Sequence, residues 1–179
     1  MLEVQRKTRK LKSFGEKDLK EYLEARPVPV VICPNGEAYI IDHHHLVRAC
    51  WEAGVSKMLT ELKANLSHFK KEQFWTEMQK LGWTHLFDQF GNGPHLPDLL
   101  PYTIQGVADD FYRSLAWAVR EQGGFEKSTA PFCEFKWADF FRKKLPIDRS
   151  EAGFKAAVAH ALKLCQGPEA KHLPGYIGP

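Results

Sequence analysis

The stretch IIDHHHLVRACWEAG, residues 40–54, joins a short apolar run to a segment of helical spacing through three consecutive histidines. Side chains repeat about every two residues along a strand and about every 3.6 along a helix, so three neighbours cannot share one face of either. At least one of His43, His44 and His45 therefore meets solvent, a ligand or a polar partner. The whole chain has eight histidines, so three at one junction mark the place to read first.

Backwards from the junction, 28–33 reads as a strand, Pro34-Asn35-Gly36 as a tight turn and 37–41 as the returning strand. Asn-Gly between β-rich runs suits the hairpin turns that need positive φ. Forwards, Asp42 is placed to cap a helix over 44–53 by accepting hydrogen bonds from its early amides. Leu46, Val47, Cys50 and Trp51 form the expected buried stripe, with His44, His45, Arg48 and Glu52 on the other side and Gly54 as the stop.

Further helices are expected over 18–24, 70–81, 104–121, 132–143 and 150–164, a strand within 55–66, and a turn over 90–94 followed by a Pro/Leu-rich connection through Pro101. The fold class is α+β: a small mixed-sheet core over 1–100 and a helical extension over 101–179, packed on the core as an integral unit.

Composition supports a folded chain. With 179 residues, 44% hydrophobic and 26% charged, there is apolar matter for a sizeable core. A formal charge of +3 is slight, and Arg6, Lys7, Arg9, Lys10 and Lys12 form an arm that could meet phosphate but reads first as a solvated terminus. Cys33, Cys50, Cys133 and Cys165 form no CxxC pair, which points to separate reduced thiols, no structural zinc and a cytoplasmic setting. No apolar run approaches the roughly 20 residues that span a membrane.

The opening of the 44–53 helix suits an anion. Its unpaired amides, the helix field and Arg48 one turn on would together hold phosphate, with His43, His44 and His45 as candidate contacts and His44 or His45 able to move a proton. The alternative is structural: His43 packs under the turn, His44 and His45 are solvated, and Arg48 pairs with Glu52. Neighbouring histidines do not make a good metal cage, so Mg²⁺ carried mainly by phosphate, with Asp42 as its carboxylate, is the easier metal. A second polar row, Asp109, Arg113 and Arg120, shares a helical face and would either pair internally or close over phosphate oxygens. Lys7, Asp109, Lys127 and Glu134 are candidate supporting residues, with surface and capping roles as the alternative for Lys127 and Glu134.

YIIDHHHLVRA at 39–49, DDFYRSLAWAVR at 109–120 and FCEFKWADFFR at 132–142 resemble the Putative ParB-like nuclease family, a divergent branch of the ParB/sulfiredoxin superfamily. The likeness begins at EVQRK, 3–7, and covers nearly the whole chain. It implies a ParB-like α/β core whose strand-to-helix segment binds a phosphate-containing ligand. Ordinary ParB proteins carry a glycine-glutamate-arginine-arginine pattern there, where this chain has Asp42, His43, His44, His45 and Arg48. The free-serine kinases, a related branch, carry aspartate-glycine-histidine-histidine-arginine, which is similar to Asp42, His44, His45 and Arg48 with His43 in the glycine position. In that branch an N-terminal acidic residue assists chemistry, and Glu3 is its counterpart here by resemblance. Sulfiredoxin needs a cysteine in the signature loop, whereas Cys50 lies beyond the histidines in the apolar stripe.

Three functions follow as expectations. A nuclease or phosphodiesterase would act on nucleic acid or a nucleotide, with Mg²⁺ as an optional ion. An ATP- or ADP-dependent kinase would phosphorylate a small molecule at the same corner. A noncatalytic module would only bind a nucleotide. Association of two chains is not legible from the sequence.

Overall fold

The 34–36 turn closes with Gly36 at φ +84° and its amide 2.9 Å from the Cys33 carbonyl. It joins β1 (Val28–Ile32) to β2 (Ala38–Ile40) as an antiparallel hairpin in which Val30 faces Ile40. The computed structural model describes residues 2–179. Strand β3 (Thr60–Asn65) runs parallel to β1 on its other side, giving a mixed sheet of order β2-β1-β3. Central β1 is apolar and buried from Val28 through Val31, as a strand covered on both faces must be. Edge strand β3 exposes Glu61 and Lys63, charges that discourage further strand pairing.

The helices in chain order are α1 (Leu2–Lys12), α2 (Glu16–Glu24), α3 (His44–Glu52) and α4 (Lys71–Lys80), then α5 (Phe111–Glu121), α6 (Cys133–Lys144) and α7 (Glu151–Cys165). The expected solvated arm is instead the helix α1. Val4 and Leu11, seven residues apart, are buried with Glu3 and Thr8 where α1 packs on α3, while the basic side chains of Arg6, Arg9, Lys10 and Lys12 stay outside. Segment 104–121 is not one helix either. Ile104–Gly106 makes a single 3-10 turn, and α5 starts at Phe111, where Asp110 accepts hydrogen bonds from the amides of Tyr112 (2.9 Å) and Arg113 (3.1 Å).

The chain divides into two compact units, residues 2–86 with 94–108 and residues 87–93 with 109–179. The division falls at 108/109 rather than at 100/101, and the 87–93 turn belongs with the helices. In the sheet unit, Val31, Cys33, Leu66, Phe74 and Met78 form a buried cluster with Tyr39, Trp75 and Trp83 packed against it. In the helical unit, Trp137 stacks on Phe125 with ring centroids 4.4 Å apart and donates its indole N–H to the Pro174 carbonyl at 2.8 Å. A buried indole needs such a partner, since an unanswered N–H would cost its full desolvation. No helix among the described residues is long and apolar enough to cross a membrane.

Candidate active site

Packing α1 on α3 brings together residues 42 positions apart. Glu3, 4% exposed, sets its Oε2 2.5 Å from Nδ1 of His45, and its Oε1 meets Nζ of Lys7 one turn along α1. Burial pushes the Glu3 carboxyl up, but the hydrogen bond and charge of His45, joined by Lys7, outweigh it and hold the group at about 2. Glu3 is therefore a carboxylate at neutral pH, able only to accept. That assigns the proton to His45 Nδ1 and leaves Nε2 for an outside partner.

The turn before α3 differs from the expected cap. Asp42 accepts a hydrogen bond from the His43 amide at 2.6 Å, and His43 itself is the N-cap residue, in the left-handed region at φ 65°, ψ 17°. No side chain caps α3, and the first intrahelical bond runs from the Val47 amide to the His43 carbonyl at 2.9 Å. The amides of His44, His45 and Leu46 at the helix start have no acceptor within the helix, and they form its positive end. His43 also carries a buried Nδ1 with no hydrogen-bond partner. His44 keeps an exposed face, yet desolvation by the surrounding chain lowers its pKa, with Asp42 and a hydrogen bond to the Ile40 backbone pulling the other way.

Left-handed backbone is costly for a residue with a Cβ, and glycine removes that cost. His43→Gly is expected to stabilise the sheet unit by about 1 kcal/mol, read from urea unfolding, because it also removes the unpartnered nitrogen. An unchanged or lower midpoint would mean that His43 makes compensating contacts.

Arg48 follows the structural alternative. Its Nε donates to Glu52 at 2.8 Å, another nitrogen reaches the carbonyls of Gln105 at 2.8 Å and Ile104 at 3.3 Å, and its guanidinium lies 5.1 Å over the Trp51 ring. Trp51, expected in the buried stripe, is 47% exposed, and Ala49 takes its place with Leu46 and Cys50. Thr8 donates to Glu52 at 3.3 Å, which ties α1 to the same side of α3. Sequence reading missed Thr8 and the whole of α1, although Val4 and Leu11 stand at the spacing of one helical face.

The remaining candidates belong to the helical unit. Arg113 and Arg120, two turns apart on α5, both pair with the carboxylate of Glu134 on α6. Asp109 precedes the helix start, and Lys127 is exposed after the Gly123-Gly124 turn. Two guanidiniums on one half-buried carboxylate fasten α5 to α6. Among the described residues no three His, Cys, Asp or Glu side chains converge to hold a metal ion.

The family model described as Putative ParB-like nuclease matches residues 1–143, from the Glu3 helix through the histidine turn to α6. The chain belongs to that family. Among solved structures it is similar to protein Atu1540 from Agrobacterium tumefaciens, with a TM-score of 0.88 and 38% identity over 99% of this chain and 88% of that one. That likeness continues through α7, which lies beyond the span matched by the family model. No curated protein matches the chain. As a ParB-like nuclease family member with its Cys50 thiol fully buried and pushed up to about 11, the protein holds no reactive thiol at this turn.

Proposed function

We propose that this ParB-like nuclease family member hydrolyses a phosphodiester in nucleic acid or a nucleotide at the amino end of α3. The Glu3–His45 pair at 2.5 Å carries this reading. Phosphate oxygens rest on the amides of His44, His45 and Leu46, where the helix field favours negative charge. Nε2 of His45 takes a proton from the attacking water, a new P–O bond forms as the bond to the leaving oxygen breaks, and solvent water protonates that oxygen. The Glu3 carboxylate stays ionised throughout, fixing the imidazole tautomer and balancing the imidazolium that forms. Lys7 adds a cation beside the pair, and neutral His44 offers the phosphate a hydrogen bond. Asp42 is the carboxylate nearest the turn, and a Mg²⁺ brought by the substrate phosphate would find it there.

Arg48, Arg113 and Arg120 have no part in this scheme, since their guanidiniums already hold carboxylates or backbone carbonyls. A kinase would use the same pair with an acceptor hydroxyl in place of water. Resemblance to the free-serine kinases keeps that reading in view, because their N-terminal acidic residue falls on Glu3. The buried position of Glu3 behind His45, however, suits orientation of an imidazole better than direct contact with an acceptor.

The deciding experiment is parallel incubation with DNA, RNA, and nucleoside triphosphates plus hydroxyl-bearing metabolites, each with and without Mg²⁺. Polymer or diester cleavage is the expected result. Nucleotide consumption that depends on an acceptor would replace the hydrolase with the kinase. Saturable binding with no product in any arm would leave a noncatalytic module.

A further inference from the structure

The helical unit contains a hollow of about 290 Å³ walled by Gln89, Phe90, Phe111, Tyr112, Arg142 and Arg149. Both of its cations are already laid on rings: Arg142 sits 5.1 Å over Tyr112 and Arg149 sits 4.8 Å over Phe111. Their charges are answered differently. Arg142 pairs with Asp110 at 2.7 Å and with Asp139, and its Nε is buried without a hydrogen-bond partner. Among the described residues no carboxylate pairs with Arg149, so the hollow keeps one unanswered positive charge. Phe90 adds the other half, a large ring left 57% exposed at the same place.

An exposed aromatic face beside an unpaired, ring-stacked guanidinium has a specific complement. The ring invites a flat partner, and the guanidinium offers several N–H donors in one plane to an anion. At the small end of ligand-site volumes, the hollow has room for one such group. The geometry points to a nucleotide-binding site here, in which a base stacks on Phe90 and its phosphate pairs with Arg149. It goes beyond the hydrolysis assigned to α3 and needs none of that chemistry. Free nucleotides and single-stranded nucleic acid present the same ring and phosphate, so both belong in the test.

Isothermal titration calorimetry of the full chain with adenosine monophosphate, adenosine, ribose 5-phosphate and a single-stranded oligoadenylate decides it. Adenosine monophosphate or the oligonucleotide is expected to bind saturably and more tightly than either half-molecule. Binding of both identifies a free-nucleotide site, and binding of the oligonucleotide alone identifies a strand site. Phe90→Ala and Arg149→Gln should each weaken binding about tenfold with thermal unfolding unchanged, since both side chains reach solvent. Arg149→Lys, which keeps the charge but not the planar fork, should fall between. Phe90→Ala and Arg149→Gln should leave diester turnover at α3 unchanged while they lose nucleotide binding, which separates failure of this site from failure at α3. Absence of binding in both nucleotide arms, ribose 5-phosphate binding as well as the nucleotide, or wild-type affinity in Phe90→Ala and Arg149→Gln would overturn the assignment.

Discussion

His45→Asn is expected to lower phosphodiester turnover by about 10²–10⁴-fold, the usual contribution of a positioned acid–base group. The choice of asparagine matters. Its amide places an N–H close to where Nδ1 stands, so the buried Glu3 carboxylate keeps a donor and the α1–α3 contact survives. What it lacks is Nε2, the nitrogen assigned to the reacting water. Alanine would confuse the outcome, because removing one partner of a buried pair leaves the other charged and unanswered. Phosphate contact to the backbone amides of α3 is untouched, so the loss should fall on kcat while KM moves little. Near-normal kcat in a folded His45→Asn protein would show that His45 moves no proton, and the reading of this turn as an active site would go with it.

The fate of the sequence expectations follows from what local pattern can encode. The Asn35-Gly36 hairpin, the mixed α+β class and the apolar face of α4 depend on spacing within a few residues, and they were legible. The contact between Glu3 and His45 spans 42 residues of sequence, and no periodicity in either segment reports the other. Resemblance alone suggested Glu3, through an acidic residue in a related branch. Local reading then misjudged the turn itself. Asp followed by a helical segment is a cap signal, but the left-handed backbone at His43 turns Asp42 onto the preceding amide instead. Glycine stands at that position in the related kinases, so the hint was present in the resemblance rather than in the residue.

Charge misled in the same way. A row of lysines and arginines at 6–12 describes a solvated surface equally well whether the backbone is extended or helical, and only the Val4–Leu11 spacing distinguishes the two. Arg48 illustrates the limit for single residues. A guanidinium near a helix start is ready for phosphate, but three acceptors from Glu52, Ile104 and Gln105 reached it first.

Acid should loosen α1 from α3 through Glu3. In the folded protein its carboxyl sits at about 2, and its ordinary value is 4.5, so the folded state holds the ionised form more tightly than the unfolded chain does. A depressed folded value contributes stability that is fully present above the unfolded value and is lost as pH falls from there through the folded one. With Glu3 only 4% exposed, solvent screening is small, and the stability it contributes is fully present at neutral pH. Glu3→Gln has no such group to titrate. Its stability deficit against the wild type should therefore be widest near neutral pH, shrink as pH falls below about 4.5, and nearly close by about 2. Hydrogen exchange of the α3 amides is the suitable probe, because it reads the opening of this contact without requiring the two units to unfold in one step. A deficit of the same size at every pH would mean that Glu3 stabilises the contact by packing alone. The carboxylate would then not be held ionised by His45, and the tautomer on which the proposed chemistry depends would lose its cause.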